Sequence, residues 1–455
     1  MGKRIASIDA LRGIAITMMV LCSTIGWGAG LPAWMFHCQC PPPTYAFNPL
    51  VKGITWVDLV FPWFLFSMGA AIPFSLGSKL RRGESMGSIS LGLVKRWLTL
   101  AAFGLVLGNA DLVADYQALG PCLVRLGLWC GMFLALWRVE RKTGIFINIA
   151  GVLVVIAMLC VEKFVLGASL SLHSINIIIM VLSLVALLGG FSWLLTRKRL
   201  WLRLVILAVV FITKEVNWHT HALDVLAFPG WIDWLFRWSY VQYLFVVLLG
   251  SIVGDILIAA GDEVCDSPRS SGSAVAAWLC LLMTPLALWG FYTRNVWILF
   301  TAVFALGGLA MWLTREDKSA WSLIMRIGFA ALQFGIIFDP IDGGITKDHC
   351  NMSYMLSTAG LACLMTSFLL WCETRAASRG RSLSLNLTMT GQNPMIAYTV
   401  TAYIIMPVLY LLRFEAFDQL TIGNPALGFL RGVIITSIMI ALTSLFTKAK
   451  IFWRS

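Results

Sequence analysis

Fourteen apolar runs follow one another along the chain, near residues 8–30, 55–77, 90–110, 117–137, 144–163, 173–195, 201–216, 237–260, 274–292, 295–314, 320–338, 352–372, 393–412 and 425–447. A helix needs roughly 20 apolar residues to cross the hydrocarbon core, and most of these runs supply them. They are continuous rather than alternating at period two, which argues against a transmembrane barrel. Lys214 and Glu215 truncate the seventh run, and a very short link joins the ninth to the tenth. The expected fold is therefore all-α, a polytopic transmembrane helix bundle of about 12–14 spans.

The polar links orient that bundle. With the N-terminus inside, the inner segments hold 21 Lys and Arg residues, and the outer ones hold 6: Lys52, Lys163, Lys214, Arg294, Lys347 and Arg413. Such a positive-inside bias places both the N- and C-termini in the cytoplasm and demands an even span count. The first run contains Asp9 and Arg12 and lacks a small-x-small cleavage site, so it reads as an uncleaved span. All five histidines (His37, His173, His219, His221 and His349) then fall on the outer side.

Composition agrees: 59% of residues are hydrophobic and 12% charged, about half the charged share of a soluble domain. A soluble multidomain protein is excluded. The net charge of +12 follows from the membrane topology, and no basic stripe with interleaved aromatics points to nucleic acid. Membrane lipid is the surrounding partner, and a bacterial inner membrane the expected location. Most of the eleven cysteines lie in apolar runs; Cys38, Cys40 and Cys350 fall in outer loops, where sequence cannot decide pairing.

Ionisable groups inside spans are expensive and carry the chemical signal. Asp9 and Arg12 share one face of the first span, either as a local ion pair or as part of a ligand site. Asp58 opens the second span, where it can cap the helix or orient an imidazole. Arg125 lies about 12 Å into the fourth span and calls for a carboxylate or an anionic ligand. Arg326, Gln333 and Arg431 are weaker cases nearer span ends. His37, in the Pro-rich outer loop 31–54, is the candidate general base with Asp58 beside it. Cys38 and Cys40 lack a second cluster at zinc spacing, so no metal is expected. His219 and His221 sit in a Trp-rich loop suited to the membrane interface.

The residues Ser7-Ile8-Asp9-Ala10-Leu11-Arg12-Gly13, then His37, then Asp58-Leu59-Val60-Phe61-Pro62-Trp63-Phe64 resemble the heparan-α-glucosaminide N-acetyltransferase family and its bacterial homologues. Leu123-Val124-Arg125-Leu126-Gly127, Gly391-Gln392-Asn393-Pro394, the segment 240–255 and Gly343-Gly344-Ile345-Thr346-Lys347-Asp348 extend the similarity to an uncharacterised bacterial branch. The resemblance implies a single acyltransferase-like domain over 1–455. Its four family-like spans cover 8–137, paired-helix insertions fall at 144–216 and 274–338, and C-terminal spans occupy 352–447. It further implies that cytoplasmic acetyl-CoA, as co-substrate, gives its acetyl group to an amino sugar or glycan across the membrane. The essential outer-loop histidine carries over to His37, as general base or acyl carrier. Asp9, Arg12, Lys95, Arg96, Arg125 and Asn393 are the candidate substrate or CoA ligands, with the basic cytoplasmic mouth meeting the phosphates. A homodimer is an admissible assembly. The family usually carries an Asn near the outer end of the first span; here the stretch reads Val20-Leu21-Cys22-Ser23-Thr24. The rival reading is a sugar or lipid-linked glycan permease or flippase, although no inverted repeat or pair of broken spans favours it.

Overall fold

In lipid, every backbone N–H must find its acceptor within the chain, so each apolar run closes into a helix. The computed structural model describes residues 5–110, 118–137, 143–261, 271–348, 350–383 and 385–453. His349 lies outside these, as do the side chain of His219 and several arginines of the charge count, among them Arg4, Arg138, Arg141 and Arg269.

The helices are α1 (Ala6–Thr24), α2 (Trp56–Arg81), α3 (Met86–Ala110), α4 (Leu119–Leu136), α5 (Thr143–Phe164), α6 (Ile177–Thr196), α7 (Leu200–Thr220), α8 (Trp238–Val241), α9 (Leu244–Ala260), α10 (Ser271–Tyr292), α11 (Val296–Leu313), α12 (Ala320–Ile341), α13 (Met352–Ala377), α14 (Leu385–Gln392), α15 (Pro394–Val400), α16 (Met406–Leu411), α17 (Glu415–Thr421) and α18 (Pro425–Lys448). A π-helical turn over Thr401–Ile405 joins α15 to α16. Their starts follow local chemistry: Asn176, Ser319, Asn351 and Asn424 each accept an N–H from the first turn of the helix that follows. Pro394 and Pro425 occupy first-turn positions, where a missing N–H costs nothing.

Among the described residues, thirteen helical stretches are long and apolar enough to cross a membrane. α7 has 21 residues but carries Arg203, Lys214 and Glu215. Near its start, Arg203 is buried against Asp255 at the end of α9, so α7 runs antiparallel to α9 through the bundle. The protein is thus a multi-pass, all-α membrane bundle.

Both described chain ends lie at one end of the bundle. The N–H groups of Ala6 and Ser7 donate to the two carboxylate oxygens of Glu373, close to the end of α13. The side chain of Asn393 donates to the carbonyl of Ile451 and accepts from the N–H of Trp453. The opposite face carries the loop 25–55 and the turn after α12. Residues 144–216 hold three helices, α5 to α7, and the middle one packs on α2, α3 and α9 within the core.

α1 is seated against α2, α13, α14 and α18. Two glycines make the closest approach: a Cβ on Gly13 would stand 2.0 Å from the carbonyl oxygen of Leu387, and one on Gly391 1.8 Å from that of Asp9. Only hydrogen fits there. The early Asp9-x-x-Arg12-Gly13 and late Gly391-Gln392-Asn393-Pro394 motifs are therefore two halves of one contact.

Candidate active site

His37 is fixed by the loop that carries it. Its carbonyl accepts the N–H of Cys40, and buried Gln39 donates to the carbonyls of Val51 and Gly53, drawing the loop onto the start of α2. Phe36, Trp27 and Tyr45 stack edge-on or tilted with centroids 4.9–5.2 Å apart and wall the same loop.

Asp58, on the first turn of α2, is fully buried. Its Oδ2 accepts the Thr55 N–H at 2.9 Å, half of a capping box, and its own carbonyl accepts the Tyr354 hydroxyl of α13 at 2.7 Å. Its Oδ1 stands 2.6 Å from Nδ1 of His37. A carboxylate can only accept, so Nδ1 carries the hydrogen, and in the neutral ring Nε2 keeps its lone pair. The cap and the imidazole partner, read from sequence as alternatives, are both present, one on each oxygen.

A third group joins them. Nζ of Lys347 lies 3.1 Å from Nδ1 and 3.4 Å from Nε2 of His37, and 3.8 Å from Oδ1 of Asp58. Sequence reasoning counted Lys347 among the outer-loop charges and in the Gly343–Asp348 stretch of the resemblance, but gave it no place in the site. The available signal was the Gly343-Gly344 pair just before it, both glycines with φ in the left-handed range, at +71° and +109°. The turn is latched: Asp339 pairs with both Nη atoms of Arg294 and accepts the Ile345 N–H, while the Ile345 carbonyl accepts the N–H of Gly53.

Burial pushes the Cys38 thiol up to about 12 and the Cys350 thiol up to about 11; Cys40 is also raised. All three are free, and no cluster of metal-binding side chains occurs among the described residues.

On the other side of the bundle lies a cavity of about 750 Å³. Arg12, Lys79, Lys95 and Arg96 line it, with no acidic side chain among the lining residues. Phe64, Leu182, Pro394 and Met395 also line a narrow apolar throat of about 30 Å³, which reaches Met19 on α1 and Val60 on α2. Val60 is two residues from Asp58, about 3 Å further along α2 and on a different face of it. Cys22, one turn beyond Met19, lies within electrostatic reach of Lys347 and Asp58.

The structure therefore brings His37 to Asp58, and Arg12 to Lys95 and Arg96, in two separate regions of the bundle. Asp9 makes the ion pair with Arg12, at 3.5 Å, while Arg12 also donates to Ser67 and to the Gly391 carbonyl. Arg125 is buried in α4 against the Tyr403 ring, 5.7 Å from its centroid, and lines neither cavity. Asn393 faces the C-terminal segment. Arg326 and Arg431 bind the backbone carbonyls of Thr314 and Thr24. His173 and His221 are exposed and paired with Asp233 and Asp224.

Human heparan-α-glucosaminide N-acetyltransferase is 33% identical over 118 residues, and the mouse enzyme 32% identical over 119 residues. Each match covers 26% of this chain and 15% of the relative, so the chain spans less than a sixth of the curated relatives it matches. The profile of the family described as "Domain of unknown function (DUF5009)" matches residues 4–257, more than half of the chain. The protein is a member of the DUF5009 family and a distant relative of the heparan-α-glucosaminide N-acetyltransferases.

Proposed function

We propose that the protein is a transmembrane acyltransferase. It takes an acetyl group from acetyl-CoA in the basic cavity and gives it to an amino sugar or glycan at the His37 face. The observation that carries this reading is α2 itself: its first turn holds Asp58 against His37, and its later turns, from Phe64 to Lys79, line the cationic cavity. One helix thus connects the imidazole of His37 to a chamber lined by four cations.

The fit to CoA rests on charge and shape. Four cations with no lining carboxylate attract phosphates, and Lys95 and Arg96 stand where they can meet them. The apolar throat suits a thin, weakly polar arm rather than a sugar. The basic cavity would face the cytoplasm, in keeping with the positive-inside rule. At the far end, an amine attacking a thioester needs a group to take the acyl chain or a proton, and Nε2 of His37 can do either. Asp58 fixes the tautomer and balances positive charge on the ring. The segment Val20–Thr24, where the family usually has an Asn, runs beside this site, so the acceptor is expected to differ from glucosamine in the groups it presents there.

The test is release of CoA from radiolabelled acetyl-CoA by purified protein in detergent with a panel of amino sugars. Release in the wild type and its loss in His37→Ala support the reading. Uptake of unmodified sugar into proteoliposomes, indifferent to acetyl-CoA, would replace it with a permease.

A further inference from the structure

Lys347 has no role in the reading so far, yet it is the cation nearest the reactive nitrogen. We propose that Lys347 is a catalytic residue whose ammonium stabilises the oxyanion formed when Nε2 of His37 takes the acyl group from the thioester. The inference rests on the transferase reading and adds a residue to it.

Three observations support it. The first is distance: the carbonyl oxygen of a group bonded to Nε2 stands two bonds from that nitrogen, and with Nζ 3.4 Å from Nε2, rotation about the new N–C bond can bring that oxygen within hydrogen-bond reach of Nζ. The second is rigidity. Asp339, Arg294 and the Ile345–Gly53 bond hold the turn on one side, and Asn351 binds the Gly344 carbonyl and the Thr346 N–H on the other. Preorganised charge costs no rearrangement at the moment of reaction. The third is partial burial: the Lys347 side chain is 25% exposed and Asp58 fully buried, so water screens the charges little.

The step balances within these groups. The Nε2 lone pair bonds to the thioester carbon, and the carbonyl π pair moves onto oxygen beside Nζ. Collapse of the oxyanion breaks the C–S bond, and the thiolate leaves with the electron pair and takes a proton from water. His37 then carries the acyl group with Nδ1–H still on Asp58, whose negative charge matches the acylated ring. The acceptor amine attacks the same carbon, the oxygen again takes the charge beside Nζ, the C–Nε2 bond breaks, and the amine's proton leaves to water.

Lys347→Met, Lys347→Arg and His37→Ala are compared with wild type in the CoA-release assay, together with their melting temperatures in detergent. Lys347→Met is expected to lose about 100-fold in kcat with KM for acetyl-CoA unchanged, the size seen when one oxyanion donor is removed. Lys347→Arg, which keeps the charge, is expected to stay within about tenfold of wild type. If Lys347→Met turns over within about threefold of wild type while His37→Ala is inactive, the oxyanion role falls and the transferase reading stands. Equal losses in the Met and Arg variants, both with a wild-type melting temperature, also overturn the role, because charge is then not what matters. If Lys347→Met does not fold, the Arg variant decides: activity within tenfold supports the role and a 100-fold loss overturns it. Wild type releasing no more CoA than His37→Ala overturns both readings.

Discussion

Nδ1 of His37 and Oδ1 of Asp58 stand 2.6 Å apart, bridging the loop 25–55 and the first turn of a membrane helix 21 positions further on. The pair joins a partly exposed ring to a carboxylate with no exposed surface. Asp58→Asn preserves the shape and removes the charge, and an amide can force the ring into the other tautomer. Turnover is expected to fall by about 10²–10⁴-fold. The start of α2 should lose no more than about 1 kcal/mol, since the amide oxygen can still accept the Thr55 N–H. CoA release and a thermal melt on the same sample check both parts; an active Asp58→Asn enzyme would remove Asp58 from the mechanism.

Gly391→Ala tests the join between the two distant motifs. The new methyl would stand 1.8 Å from the Asp9 carbonyl oxygen, and that neighbour is backbone, so α14 must move away from α1. A destabilisation of about 1–3 kcal/mol is expected, read as a lower melting temperature in detergent. An unchanged melt would show that the helices are not packed backbone to backbone.

Lys95→Gln combined with Arg96→Gln weakens the cavity without touching His37. KM for acetyl-CoA should rise about tenfold while kcat stays within about twofold, the pattern of lost uniform binding. The wild-type KM should also rise with salt, more steeply than that of the double variant. A change in kcat alone would place these residues elsewhere in the cycle.

The loop thiols Cys38 and Cys350 give a test with a sign. Burial holds Cys38 up near 12 and Cys350 near 11, against an ordinary value of 9.0, so at pH 8 both are far less ionised than a free thiol. Native protein should alkylate slowly at these positions and quickly once unfolded. Because the native values are raised, their contribution favours the fold below pH 9 and is lost as pH climbs from about 9 to 12. Peptide mapping after alkylation checks this; rapid native labelling, or a disulfide-linked peptide, would contradict it.

The fold was legible because lipid leaves an apolar run no alternative to a helix, and because charges between the runs fall unevenly. α7 was the hard case for the same reason: Lys214 and Glu215 truncate its run, and the partners that let Arg203 be buried near its start, Asp255 and Ser251, lie on a separate helix. Within the site, His37 and Asp58 could be paired on paper because a short loop and a helix start are neighbours in sequence. Lys347 could not, since 310 residues separate it from His37 and a latched turn brings it there. Arg12 and Gly391 were each flagged by a motif, but their contact is a product of packing. Asn393 was read as a ligand from its motif; its side chain instead ties down Ile451 and Trp453, a contact between segments that no local pattern encodes.

The central claim is transfer of an acyl group between opposite faces of the membrane. Proteoliposomes with amino sugar trapped inside and labelled acetyl-CoA added outside measure it directly. Label on the trapped sugar with wild-type protein, absent with His37→Ala, is the predicted result. Label found only when sugar and acetyl-CoA share one side of the membrane would contradict it.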